Sequence, residues 1–150
     1  MTQPKGRSPK LKVQVWIYSS EPRPQILILQ TQPDRGSFWQ PVTGSVEKGE
    51  SLASAALREA QEETGLSFSF PVVPIEEPEG KFQFESRWGD FIEETAFSLE
   101  VKAPKKIKLD AHEHTEYEWV SPEVALEKVK FDSNRKVLLA LIRQLKSKSK

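Results

Sequence analysis

The sequence predicts a mixed α/β domain in which a mixed β-sheet carries helices on both faces. Three observations lead there. Short β-branched or apolar runs recur along the chain, two longer stretches have helical periodicity, and the first two runs are joined by a turn, as hairpin neighbours are. Leu11 to Tyr18 alternates apolar and polar residues and reads as a strand, and QILILQ (25–30) as a second, with SSEPRP as the turn between them. TQPDRGS is a loop, and FWQPVTG brings aromatics up to Gly44. Ser51 is placed to cap a helix that stops at Gly65, where a glycine satisfies the last carbonyls. FSFPVVPI reads as an extended piece interrupted by Pro71 and Pro74, followed by the acidic loop EEPEG. KFQFES, DFIEETAFSLEV and YEWV are three further strands. SPEVALEKV opens with a Ser cap and a proline at the first helical position, and Ser133 to Leu145 carries a longer apolar stripe of Val137, Leu138, Leu141, Ile142 and Leu145.

With 150 residues, no internal repeat and no linker, the chain reads as a single domain over 1–150, with residues 1–10 and 146–150 as flexible, solvated basic tails. Cysteine is absent, which excludes disulfides and thiolate metal sites and fits a reducing, cytoplasmic setting. Lys+Arg and Asp+Glu balance at 22 each, so no global field favours nucleic acid or an anionic membrane, and any phosphate recognition must be local. Neither a signal peptide nor a run approaching the ~20 apolar residues of a membrane span is present. Monomer and homodimer stay equally open.

The stretch GSVEKGESLASAALREAQEETGL (44–66) raises a physical question. Like charges three and four apart on a helix repel by roughly 0.2–0.5 kcal/mol per pair, so Glu59, Glu62 and Glu63 weaken the helix that carries them. At about 100° per residue the three fall within an arc of roughly 100°, beside Ala53, Ala56, Leu57 and Ala60. Alanines there let the helix lie close on a sheet and hold its acidic edge at the rim of a groove. Clustered, rigid carboxylates suit hard divalent cations such as Mg²⁺ and Mn²⁺, which keep waters for a phosphate to replace. A merely solvated acidic face would leave Gly44, Glu50, Arg58 and Gly65 unexplained.

Together these residues match without a gap the pattern Gly-x5-Glu-x7-Arg-Glu-U-x-Glu-Glu-x-Gly-U of the Nudix hydrolases, with Ala60 and Leu66 at the U positions. Seven fixed positions at ~6% each coincide by chance in such a chain with a probability on the order of one in a million. The chain resembles that family over nearly its whole length. The resemblance implies an α/β/α sandwich and metal-dependent hydrolysis of a nucleoside diphosphate linked to another moiety. It implies that Glu59 and Glu63 ligate Mg²⁺ or Mn²⁺ with Glu62 sharing the duty, that the Gly44 carbonyl is a further ligand, and that Arg58 pairs with Glu50 to hold loop onto helix. A binding module that had lost the chemistry would have lost some of these glutamates, and all are present.

LDAHEHTEYEWV adds His112, Glu113 and His114 before a strand. Two histidines two apart, without cysteine, make a weak zinc site. In Nudix domains this loop often brings one more glutamate to the metals or supplies the general base; Glu113 is the candidate and Glu116 the reserve. FWQPVTGSVEKGE, the KFQFES and FIEETAF strands and FDSNRKVLLALI resemble one subgroup, the bacterial dihydroneopterin triphosphate pyrophosphohydrolases, which release pyrophosphate and also act on deoxynucleoside triphosphates. RNA 5′-pyrophosphohydrolases and enzymes that clear damaged nucleotides share the same box, so the alternatives of pterin triphosphate, nucleoside triphosphate and RNA 5′ end stay open. No basic stripe suits long RNA. For the ring, Phe38 or Trp39 is a stacking candidate, Trp88 stands next in line, and Asn134 is an edge reader by resemblance to nucleotide-cleaning members.

Overall fold

The computed structural model describes residues 8–148. Its centre is a parallel pair. β1 (Lys10–Ser19) runs beside β7 (Phe91–Val101) along its whole length, from Lys10 opposite Ile92 to Ser19 opposite Val101. The other edge of β1 is shared: Lys12 to Val15 pair with β4 (Val42–Ser45), and Tyr18 and Ser19 turn into the expected antiparallel hairpin with β2 (Gln25–Thr31). β2 then peels away to pair with β3 (Trp39–Gln40) and with β8 (His114–Val120). The outer edge of β7 takes β5 (Val73–Pro74) and β6 (Lys81–Glu85). The result is one mixed eight-stranded sheet.

Side-chain alternation along β1 sorts the sheet into two cores. Val13, Val15 and Ile17 face α1 (Leu52–Thr64), while Trp16 and Tyr18 face α2 (Pro122–Lys128) and α3 (Asp132–Lys148). This is the expected α/β/α sandwich. Ser51 caps α1 by accepting the Ser54 N–H at 3.1 Å, and Gly65 ends it in the left-handed region at φ 71°. The alanines that let α1 approach the sheet are Ala55, Ala56 and Ala60, all fully buried. Ala53, expected on that face, does share the angle of buried Ala60 and Thr64, but it lies in the first turn of α1, where the helix is not yet covered, and is exposed. α3 is fastened to the end of α2 by Arg135, which donates to the Leu126 carbonyl at 3.0 Å and to the Val129 carbonyl at 2.5 Å.

Two boundaries differ from expectation. Of FSFPVVPI only Val73 and Pro74 form a strand, because prolines lack the N–H that a ladder needs. Of the stretches expected as tails, Lys10 belongs to β1 and residues 146–148 to α3, while residues 1–7 and 149–150 lie outside the described residues.

Candidate active site

The β4–α1 connection closes around Arg58. Its guanidinium holds Glu50 through two bonds, Nε to Oε2 at 2.7 Å and Nη2 to Oε1 at 2.9 Å, and donates to the Ser45 carbonyl at 2.9 Å. Its Nη1 reaches Glu59 at 2.9 Å and Glu62 at 3.4 Å. The fork therefore ties loop to helix and offsets part of the like-charge repulsion along α1. The Arg58 hydrogen bond holds the Glu50 carboxyl at about 2, and the Glu47 N–H adds to that effect.

Glu63 is in the opposite condition. Its side chain is buried, and burial, then Glu59, Glu113 and Asp110, push its carboxyl up to about 10. Its Oε2 has no hydrogen-bond partner. An acidic cavity of about 340 Å³ joins Glu59, Glu62 and Glu63 to Asp110 and Glu113, with Lys12 and Arg35 as the cations in its wall. Glu113 reaches it from the turn before β8 and is held by Arg35 at 2.8 Å. Glu116 does not line this cavity; it is exposed on β8, opposite Gln30.

Sequence reasoning passed over Asp110 and weighed His114 only as half of a zinc pair. The Asp110 carbonyl accepts the N–H groups of Glu113 and His114, both at 3.0 Å, and its carboxylate accepts the His112 N–H at 3.0 Å. That turn separates the two histidines, leaving His112 exposed and His114 buried, so they cannot act as a zinc pair. The signal for Asp110 was its position three residues before Glu113, the length of one tight turn. Burial, then the charge of Arg35, lowers the His114 imidazole to about 4, so it is neutral. Its Nε2 lies 3.1 Å from the Gln40 amide nitrogen, which donates; the ring proton then sits on Nδ1, 3.4 Å from Glu63 Oε1.

No three His, Cys, Asp or Glu side chains stand in metal-holding geometry among the described residues. The arginines are the reason, since Arg58 holds Glu59 and Arg35 holds Glu113. The donor set nevertheless fits a hard divalent cation. Its ligands are all oxygen, Glu63 Oε2 is buried and unpartnered, and the surplus negative charge that raises the Glu63 carboxyl is what a cation would neutralise. Gly44 makes the cradle: a Cβ at that position would overlap the Glu59 carboxylate.

A second cavity, about 510 Å³, shares Lys12 and Thr43 with the acidic one. Phe82 and Phe84 from β6, Glu94 from β7, and Phe131 and Asn134 from the start of α3 line it. The ring candidates distribute unevenly. Asn134 lines this cavity, whereas Phe38, Trp39 and Trp88 do not. Phe38 packs edge-on against Phe131 at 5.0 Å, one layer behind the wall. Trp39 is half-buried against the core beneath α2 and α3, with the Lys128 ammonium 5.0 Å from its ring. Trp88 is 75% exposed in the β6–β7 turn beneath Arg87. A hollow of the same volume along α2 and α3, lined by Ile26, Leu139 and Leu145, is apolar and has none of the site's carboxylates in its wall.

Residues 9–141 match the family model described as NUDIX domain. The chain belongs to the NUDIX family. The match includes both cavities, and the stretch 44–66 that resembles the family's box lies beside the acidic one. Among similar proteins, the octanoyltransferase of Myxococcus xanthus is 37% identical over 117 residues, which is 78% of this chain but only 32% of that protein. The present chain thus spans about a third of that relative's length. The dihydroneopterin triphosphate diphosphatase of Escherichia coli K12 is 29% identical over 137 residues, 85% of this chain and 89% of the relative. The structure of the E. coli dihydroneopterin triphosphate pyrophosphohydrolase superimposes with a TM-score of 0.73 at 27% identity, covering 88% of this chain and 95% of that one.

Proposed function

We propose that this protein is a metal-dependent pyrophosphohydrolase that cleaves a phosphoric anhydride bond of a triphosphate carrying a flat ring, releasing pyrophosphate. The substrate is dihydroneopterin triphosphate or a (deoxy)nucleoside triphosphate. The observation that carries this reading is the adjacency of the two cavities: a carboxylate-rich chamber with Lys12 and Arg35 in its wall shares Lys12 and Thr43 with an aromatic cavity large enough for a ring. The named relatives that cleave dihydroneopterin triphosphate support it. A single aromatic-walled cavity suits one base or pterin better than long RNA.

In this reading Glu59, Glu62 and Glu63 and the Gly44 carbonyl hold Mg²⁺, or Mn²⁺, and Glu113 joins them or acts as the base. The ions, when bound, supply positive charge to the phosphate oxygens and acidify water. The chain's own residues do the rest. Arg58 and Glu50 keep β4 and α1 in register, so that Gly44 and Glu59 stay in contact. Glu113 takes the proton of the attacking water as its oxygen bonds to phosphorus and the P–O bridge to the leaving pyrophosphate breaks. Lys12 and Arg35 neutralise the phosphates and release Glu113 from its ion pair as they do so.

The test is a panel of pterin, guanine, adenine and pyrimidine triphosphates incubated with Mg²⁺ or Mn²⁺, with phosphate products analysed. Pyrophosphate release that stops with chelator is the expected result. No hydrolysis of any panel member with either ion would overturn the reading.

A further inference from the structure

Glu94 is a buried carboxylate that stands outside the acidic cavity. It lies on β7 opposite Lys12, on the sheet face that carries α2 and α3, and only 6% of it is exposed. The Trp16 indole N–H, which can only donate, binds Gln14 Oε1 at 2.6 Å and so fixes which way the Gln14 amide faces. The Gln14 amide nitrogen then donates to Glu94 Oε2 at 2.6 Å. That bond and the charge of Lys12 favour the carboxylate, yet burial dominates and pushes its carboxyl above the usual range. A buried acid with so little compensation is less stable than an apolar residue of the same size. Its presence therefore calls for something that supplies hydrogen-bond donors.

The cavity that Glu94 lines also holds an unsatisfied acceptor. Asn134 is 6% exposed and its Oδ1 makes no hydrogen bond. Phe82, Phe84 and Phe131 supply apolar wall for a flat ring. A carboxylate takes two parallel N–H bonds most favourably when the donors are adjacent. Guanine and pterin share an edge, the 2-amino-4-oxopyrimidine, that sets a ring N–H beside an amino group. Adenine and cytosine set an amino group beside a ring acceptor, and hypoxanthine and uracil offer one N–H alone.

We infer that Glu94 is the specificity-determining residue of this cavity, selecting rings that present the 2-amino-4-oxopyrimidine edge. The inference deepens the proposed function, on which it rests for placing the triphosphate in the adjoining acidic cavity.

The experiment uses ligands without phosphates, so that ring selection is read apart from hydrolysis. Binding of guanosine, neopterin, inosine and adenosine to the metal-free protein is measured by ligand-observed NMR, for the wild type and for Glu94→Gln, which keeps the size and the bond from Gln14. Guanosine or neopterin is expected to bind about 10- to 100-fold tighter than inosine and adenosine, the range for a hydrogen bond to a charged group, and Glu94→Gln to reduce that advantage to within about 3-fold. Equal binding of guanosine, neopterin and inosine by the wild type would overturn the inference, as would a folded Glu94→Gln that kept the full preference. If that variant fails to fold, the wild-type comparison of guanosine with inosine, which differ only in the amino group, decides alone. Ring preference without triphosphate hydrolysis would overturn the proposed activity and leave the role of Glu94 standing.

Discussion

The acidic cavity takes its carboxylates from two short stretches of chain, 59–63 and 110–113, whereas the aromatic cavity draws its lining from β1, β6, β7 and the start of α3. The first is built on helix periodicity: three glutamates share one face wherever the helix goes, and their spacing alone announces them. The second exists only because the parallel β1–β7 pair sets Lys12 beside Glu94 and because Arg135 fixes the N-terminus of α3 above them. Like charge dominates one chamber, and a buried acid with one unmet acceptor the other. Both are unfavourable in the empty protein, which is the physical mark of a site that expects a ligand.

The largest effect should come from the acidic side. Glu63→Gln removes a ligand charge with almost no change of shape, and turnover should fall at least ~10²–10³-fold. A folded variant retaining half the activity would sink the assignment of the carboxylates. The same substitution should stabilise the metal-free protein. The folded Glu63 carboxyl titrates near 10 and the unfolded one near the ordinary ~4.3, so wild-type stability falls as pH rises from about 4.3 towards 10. Thermal unfolding in chelator at pH 5 and pH 8 should therefore show a gain for Glu63→Gln of about 3 °C or more at the higher pH, the equivalent of ~1 kcal/mol in a domain this size, and little at the lower. Equal midpoints at both values would mean that Glu63 is not buried with its repelling neighbours.

Gly44→Ala separates position from stability. The added methyl meets the flexible end of Glu59 rather than backbone, so the unfolding midpoint should move by less than ~1 kcal/mol while Glu59 is displaced and turnover drops about 10²-fold. Full activity in that variant would show that Glu59 works from another position. Glu113→Gln should lower turnover about 10²-fold with the Michaelis constant nearly unchanged, and Glu116→Gln should stay within about 2-fold of the wild type. The reverse outcome would put the site three residues along the chain from the turn described.

On the aromatic side the expected losses are in stability rather than chemistry. Trp39→Ala should reduce unfolding stability by ~2 kcal/mol through lost packing against α2 and α3 while leaving Michaelis constants unchanged; a rise for every triphosphate would return Trp39 to the ring chamber. The smallest effect belongs to Trp88→Ala, which should alter neither quantity by more than about 2-fold or ~0.5 kcal/mol, as its ring is mostly solvated.

Much of the acidic cavity was legible because its information is local. The Ser51 cap, the Gly65 stop, the Arg58–Glu50 pair and the face shared by Glu59, Glu62 and Glu63 all lie within one turn-and-helix unit. His114 was not legible: its burial depends on β8 pairing with β2 and on Gln40 from β3 meeting its ring. Phe38 and Trp39 misled for a related reason. They sit next to the box in sequence, but strand pairing turns Trp39 against the edge of the core and leaves Phe38 packed on Phe131.

The sequence by itself determined the mixed α/β class, the family box and the acidic helix face, since caps, periodicity and like-charge spacing act over a few residues of backbone. Only the tertiary structure decided which phenylalanines line the aromatic cavity, that Glu94 and Asn134 share its wall, and that Glu63 is buried in the field of Glu59, Glu113 and Asp110. Burial and electrostatic coupling belong to neighbours in space, and the neighbours of Glu94 and Glu63 come from strands and turns far away along the chain.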